Sequence, residues 1–411
     1  MKITPGSVAG KIKAPPSKSM MQRAVAIAAL AKGTSTIANP SFCDDSLAAI
    51  EIVKALGARV VVNNDFVEII GSENGPVSDT LNCNESGFCM RMFTPIAALF
   101  NKKISITGKS SLLNRPVDMI EKPLRDMGAE VSTNNKKPPI TVKGPIKGGE
   151  ITVDGSVSSQ FVSGLLIALP MCRNDSVVKI VNLKSKSYVT MTKSVVSSFG
   201  GSVRLDEGMT MLEVDGNQAY KGREITIEGD WSGAAFMLVA GAIAGEVGLE
   251  ELTDSDQPDQ EILSVLVKTW ANIKLSKNSV SVSRSELQAF EFDATNSPDL
   301  FPPLVALACN CKGKSVISGV GRLLHKESNR ATALLDEFTK IGANIKIIDD
   351  RMEIVGGKLK GGIIDSHGDH RIAMAGAIAA LNSETGVEIK NHECVSKSYP
   401  KFFEDLKRLR A

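Results

Sequence analysis

No apolar run in the sequence approaches the ~20 residues that a membrane-spanning helix needs; the best, Ala234–Gly245, falls well short. No excess of charge is present either: 48 Lys and Arg stand against 46 Asp and Glu, a formal net charge of +2. That balance gives no global field for gathering nucleic acid or anionic membrane, so any basic site must be local. Zinc-type cysteine pairs are missing. The seven cysteines are an odd number, and Cys309 and Cys311 are too close in sequence for a tetrahedral clamp, which suits free thiols in a reducing compartment. The order of regions expected of a secretory signal is also lacking: Lys18 and Arg23 crowd the upstream side of the small apolar stretch Ala24–Ala31, and a polar Pro/Gly segment precedes them. A soluble, cytoplasmic protein is expected.

What remains is ordinary globular material. The 411 residues, 43% hydrophobic and 23% charged, are enough for two to four domains with proper cores and exclude a disordered or fibrous chain.

The chain repeats itself. Amphipathic runs end at Leu56-Gly57-Ala58, Met127-Gly128-Ala129, Phe199-Gly200-Gly201, Thr269-Trp270-Ala271 and Ile341-Gly342-Ala343, and each is followed by alternating β-branched residues. Positions 57, 128, 200, 270 and 342 are separated by 71, 72, 70 and 72 residues. Each reads as helix, C-cap, strand. One more step passes the end of the chain, so the last helix, around Pro400–Leu409, lacks a following strand that Met1–Ala14 could supply. A second series interleaves with the first: small, Ala-rich helices predicted to open at Ser19, Ser86, Ser158, Ser232, Ser297 and Asp369. Their apolar character all round marks them as buried. Together the two series predict an α/β protein of six units, each β-α-β-α-β-β in kind.

Helix N-termini carry free N–H groups and partial positive charge, which makes them natural anion sites. Five of these six starts bear charged or multiply hydroxylated clusters: Ser17-Lys18-Ser19 with Arg23, Glu85-Ser86-Gly87 with Arg91, Ser156-Val157-Ser158-Ser159-Gln160, Ser297-Pro298-Asp299 and Asp369-His370-Arg371. Neighbouring loops add Arg115, Lys326-Glu327 with Arg330, and Lys397. Taken singly, Ser158 or Asp369 reads as an ordinary cap, Lys397 as a solvated cation, Cys89 as core and His370 as structural. Their repetition points to a polyanion site.

These motifs resemble the 5-enolpyruvylshikimate-3-phosphate synthase family from Lys11 to Phe403, most specifically at Pro16-Ser17-Lys18-Ser19, Asn114-Arg115-Pro116, Asp154–Phe161, Lys326-Glu327, Gly368–Met374 and Ser396–Pro400. The resemblance implies a two-lobed inside-out α/β barrel of six βαβαββ repeats, three per lobe. Lobe A would span 16–228 and lobe B 1–15 with 229–411, joined by a hinge near 15 and 228, with the site between the lobes. It implies transfer of an enolpyruvyl group from phosphoenolpyruvate to the 5-hydroxyl of shikimate 3-phosphate, on the route to chorismate and the aromatic amino acids. No metal or organic cofactor, nucleic acid or membrane would be involved, and the enzyme would be a monomer.

By the same resemblance, shikimate 3-phosphate would contact Lys18, Ser19, Arg23, Ser158, Ser159, Gln160, Ser185, Tyr188, Asp299 and Lys326. Phosphoenolpyruvate would meet Lys18, Gly87, Arg91, Arg115, Gln160, Arg330, Arg371 and Lys397. Asp299 would serve the attacking hydroxyl, Glu327 the methylene proton and Lys18 the phosphate or a shared proton, with His370 assisting. The residue types suit the task, since two polyanions must be held together by Arg and Lys forks and the chemistry needs an acid and a base. The sequence departs from the commonest family pattern, Asn-Ala-Gly-Thr, at Glu85 and Phe88, which leaves sensitivity to glyphosate open. The sister enzyme acting on UDP-N-acetylglucosamine fits less well, because Ser19 stands where it has Asn and Gly108–Arg115 has no Cys. A non-catalytic paralogue is disfavoured by retention of Lys18, Asp299 and Glu327.

Overall fold

The computed structural model describes residues 1–410, which divide into two compact units, Pro16–Ile227 and Met1–Pro15 with the residues from Glu228 onward. In the first unit the helices are α1 (Lys18–Ala28), α2 (Asp44–Ala55), α3 (Gly87–Ala97), α4 (Asp118–Asp126), α5 (Gln160–Ala168) and α6 (Lys186–Ser198). In the second they are α7 (Trp231–Ala244), α8 (Ile262–Lys268), α9 (Phe301–Ala308), α10 (Arg330–Lys340), α11 (His370–Ala380) and α12 (Phe402–Leu409).

Odd-numbered helices are the small, apolar ones, and they are buried along almost their whole length. In the first unit α3 packs on α5, and in the second α7, α9 and α11 pack on one another. Small residues permit the close approach: a Cβ at Gly164 of α5 would lie 2.6 Å from the Met92 carbonyl oxygen of α3. Even-numbered helices bury one face only. Four of them end at Gly57, Gly128, Gly200 and Gly342, with φ between 84° and 98°, the left-handed cap that glycine adopts without strain. The fifth, α8, ends at Trp270 with φ 61°.

Each unit holds three sheets. Five of the six sheets share one design: the strand after a buried helix runs parallel to one neighbour and pairs antiparallel with the second arm of the following hairpin. At α3, α5 and α9 that parallel neighbour is the strand before the same helix, whereas for α1 and α7 the two leading strands are exchanged. In the first unit the opening pairs are Glu224–Thr226 with Thr34–Ala38, Thr80–Asn82 with Ile104–Thr107, and Gly149–Asp154 with Ser176–Val181. In the second they are Val8–Lys13 with Gly245–Glu250, Glu291–Asp293 with Lys314–Ser318, and Gly362–Asp365 with Val387–Lys390. The mixed α/β architecture expected from the repeats is therefore present.

The sixth repeat is not complete. Its sheet has three strands, and Lys2–Ile3 pairs antiparallel with Val387–Lys390 where the other repeats bring a hairpin. The helix starts also shift from the predicted positions. Ser17, not Ser19, caps α1 by accepting from the Met20 N–H, and Asp230, not Ser232, caps α7 by accepting from Gly233. A cap bonds the amide two or three residues onward, and here the capping residue lies two positions ahead of the predicted start, Ser17 for Ser19 and Asp230 for Ser232. At α9 a 3₁₀ turn, Pro298–Leu300, separates Ser297 from the helix. Among the described residues no helix is long and apolar enough to cross a membrane.

Candidate active site

In the unit Pro16–Ile227, the starts of α1, α3, α5 and α6 bring two sets of cations together. Arg91, one turn into α3, donates from Nη1 to Gln160 Oε1 at 2.8 Å and from Nη2 to the Pro116 carbonyl at 3.0 Å. Gly87, the first residue of the same helix, leaves room for a guanidinium: a Cβ there would stand 2.5 Å from Arg115 Nη1 and 3.5 Å from Arg91 Nη1. Any other residue at 87 would displace Arg115. Gly87, Arg91, Arg115 and Gln160 thus form one cluster.

The second set centres on Arg23, buried in α1. Its Nε donates to Thr192 Oγ1 at 2.7 Å, Nη1 to the Ser19 carbonyl at 2.7 Å, and Nη2 to the Tyr188 carbonyl at 3.2 Å and Ser163 Oγ at 3.5 Å. Burial, with no carboxylate among these partners, pushes its pKa down to about 9. Ser185 ends the preceding loop in the left-handed region at φ 53° and its carbonyl accepts from the Tyr188 N–H, which turns the chain into α6. At the mouth of α5, Ser158 Oγ accepts from the Gln160 N–H at 3.2 Å, and Ser159 occupies the cap position.

Lys18 has a partner that sequence reasoning missed. Its Nζ lies 3.0 Å from Oδ2 of Asp45, a buried carboxylate in the first turn of α2. Gln22 braces the pair by donating to the Asp45 carbonyl and to Ser86 Oγ. The visible signal was the Asp44-Asp45 dipeptide, which reads as ordinary helix N-terminal charge.

In the other unit the carboxylates cluster around one guanidinium. Arg330, the first residue of α10, is fully buried. Its Nη1 donates to Asp299 Oδ1 at 2.9 Å, Nη2 to Glu327 Oε2 at 2.7 Å, and Nε to Asp369 Oδ2 at 3.0 Å. Asp369 also caps α11 through the Arg371 N–H and accepts from Ser328 Oγ. It is therefore the anchor that orients Arg330, a role its capping position had concealed. Lys326 and Arg371 complete the group, at 3.1 Å and 3.2 Å from the Asp299 carboxylate. Burial alone would raise the Asp299 pKa, but Arg371, Lys326 and Arg330 together hold it well below the usual carboxylate range. His370 is buried at the start of α11 with Nδ1 3.8 Å from Asp369 Oδ1, and Lys397 is buried at the end of a 3₁₀ turn.

Asp259, also unread in the sequence, is buried in this unit and accepts from Ser232 Oγ. Its other oxygen, Oδ1, has no hydrogen-bond partner among the described residues. Burial, and then the Asp299 charge, push its pKa up to about 7. Glu327, Asp369 and His370 offer ligand atoms within 4.8 Å of one another, but the Arg330 guanidinium already bonds both carboxylates, so their charge is met by a cation of the chain itself. The buried cysteines are shielded thiols: burial pushes Cys89, Cys172 and Cys309 up to about 12.

The chain is similar to known proteins along its length. Residues 3–406 match the family model described as EPSP synthase (3-phosphoshikimate 1-carboxyvinyltransferase). A 3-phosphoshikimate 1-carboxyvinyltransferase of Clostridium botulinum (strain Alaska E43 / Type E3) is 39% identical, covering 99% of this chain and 96% of its own. One from Methanocorpusculum labreanum is 36% identical over 100% and 98%. The solved EPSP synthase of Acinetobacter baumannii superposes with a TM-score of 0.84 at 27% identity, over 100% of this chain and 98% of that one.

Proposed function

Since the chain belongs to the EPSP synthase family, and so transfers the enolpyruvyl group of phosphoenolpyruvate to the 5-hydroxyl of shikimate 3-phosphate with release of phosphate, we propose a division of labour between its residues. The reaction serves the shikimate pathway to aromatic compounds. In the unit Pro16–Ile227, Lys18, Ser19, Arg23, Ser158, Ser159, Gln160, Ser185 and Tyr188 hold the acceptor, and Gly87, Arg91, Arg115 and Gln160 hold the donor. The other unit supplies Asp299 and Glu327 for proton transfer, and Lys326, Arg330, Arg371 and Lys397 for charge, with His370 in support. The enzyme works as a monomer, without metal or organic cofactor.

The observation that carries this reading is the Arg330 fork, which holds Asp299 on one prong and Glu327 on the other. Two carboxylates held apart by one rigid cation can act as separate acid and base. In the addition step Asp299 takes the proton of the 5-hydroxyl as its oxygen bonds C2 of the donor, and Glu327 delivers a proton to the methylene carbon. In the elimination step that carbon gives a proton back, the C2–O bond to phosphate breaks, and phosphate leaves with Lys18 beside it. A carboxylate held as low as Asp299 is a poor base. Substrate phosphate and carboxylate groups compete with it for Arg371 and Lys326, so binding itself raises its basicity.

Phosphate release from phosphoenolpyruvate, with and without shikimate 3-phosphate, tests the reading. Release should depend on the acceptor. Asp299→Ala and Glu327→Ala should each lose about 10²- to 10⁴-fold in kcat while substrate binding stays within a few-fold. Near-parental turnover in either variant would remove that residue from its role.

A further inference from the structure

Phe88 stands one residue past Gly87 on the first turn of α3, half-buried, at one of the positions where the sequence departs from the family pattern. The Arg23 guanidinium carbon lies 4.2 Å from the centroid of its ring and 5.8 Å from that of Tyr188. Two aromatic rings therefore share one buried cation.

The hydrogen bonds of Arg23 all go to neutral oxygens: Thr192 Oγ1, Ser163 Oγ and the Ser19 and Tyr188 carbonyls. A buried guanidinium normally has an anion as partner. In its place the faces of the two rings present the negative lobes of their quadrupoles, and the nearer is Phe88. Four bonds also leave one of the five guanidinium N–H donors unspent, on Nη1.

We propose that Phe88 is a positioning residue for the acceptor: its ring face replaces the missing counter-charge, keeps the Arg23 plane in one orientation, and so holds the spare Nη1–H ready for an anionic oxygen of shikimate 3-phosphate. The depressed pKa of Arg23, about 9, agrees with a cation short of counter-charge. A small polar residue at 88 would leave that orientation to water. This inference rests on the reading that Arg23 contacts the acceptor.

The test compares Phe88→Leu, which keeps bulk and apolar character but removes the ring, with Phe88→Tyr, which keeps the ring. Calorimetric titration with shikimate 3-phosphate should show Phe88→Leu binding about fivefold more weakly, the size of a partly desolvated cation–π contact. Phe88→Tyr should match the parent. In Phe88→Leu the steady-state loss should fall on the acceptor KM, with kcat and the phosphoenolpyruvate KM within twofold. A merely structural role would instead lower the unfolding temperature and disturb both substrates. In an Arg23→Gln background Phe88→Leu should cost nothing further. Parental acceptor affinity in Phe88→Leu, or an equal loss in the Arg23→Gln background, would overturn the proposal. Unchanged acceptor affinity in Arg23→Gln alone would overturn the underlying reading of Arg23.

Discussion

At the scale of single residues, the carboxylates explain more than the cations do. Arg23, Arg91 and Arg371 stand out in the sequence because they cluster at helix starts, and Arg115 and Arg330 in the loops beside them. Asp45 and Asp259 do not, and Asp369 reads as a cap, because an acidic residue at a helix start is ordinary helix chemistry. Only burial separates a cap from a charge partner, and burial of a particular carboxylate is a tertiary fact. Asp259 gives a measurable consequence. Its pKa is raised to about 7 in the folded protein against about 4 when unfolded, so the folded state holds its proton longer. Its contribution is then least harmful below pH 4, grows more destabilising as pH rises from about 4 to 7, and levels off above that. Asp259→Asn removes the ionisation. Its gain in stability over the parent should be larger at pH 8 than at pH 5, by roughly 2 kcal/mol, measured by denaturant unfolding at the two pH values. An equal gain at both would mean that Asp259 is not buried as a proton-holding acid.

At the scale of elements, helices and their ends were the most legible part of the chain. Apolar character all round identified the buried helices, and a period near 70 residues located Trp270 as a helix end although it is not glycine. What the sequence could not give was the cap register, since Ser17 and Ser19, or Asp230 and Ser232, are equally good caps on paper. Trp270 holds the left-handed conformation that four counterparts leave to glycine, and its side chain is 69% exposed. Little burial offsets the backbone cost there, which is about 1–2 kcal/mol for a residue with a Cβ. Trp270→Gly should therefore stabilise the protein by about 1 kcal/mol after the extra unfolded-state freedom of glycine is subtracted. Chemical denaturation would read this as a higher midpoint with the same slope; a lower midpoint would show that the indole packs usefully despite its exposure.

At the scale of the whole molecule, the repeat count was readable, and so was the missing strand of the last repeat and its supply from Met1–Ala14; which residues supply it was not, because a two-residue strand such as Lys2–Ile3 leaves almost no pattern. The proposed division of labour between the two units rests on where charged residues fall along the chain, which the sequence displays directly. The opening strand of each unit's first repeat has a further consequence. Glu224–Thr226, which precedes α7, pairs with Thr34–Ala38, which follows α1, and Val8–Lys13, which precedes α1, pairs with Gly245–Glu250, which follows α7, so in both units the first sheet is closed by a strand distant in sequence. On the ribosome the Pro16–Ile227 unit cannot close its first sheet until its last residues have emerged. The other unit must keep Lys2–Ile3 and Val8–Lys13 waiting until Val387–Lys390 and Gly245–Glu250 are made. Synthesis from N- to C-terminus thus sets an order of maturation: Pro16–Ile227 should become protease-resistant in nascent chains soon after Ile227 clears the exit tunnel, whereas the extreme N-terminus should stay cleavable until nearly the whole chain has been released. Protection of Lys2–Ile3 in chains halted before Val387, or of Val8–Lys13 in chains halted before Gly245, would contradict that order. The first amino acids to be made are among the last to find their places.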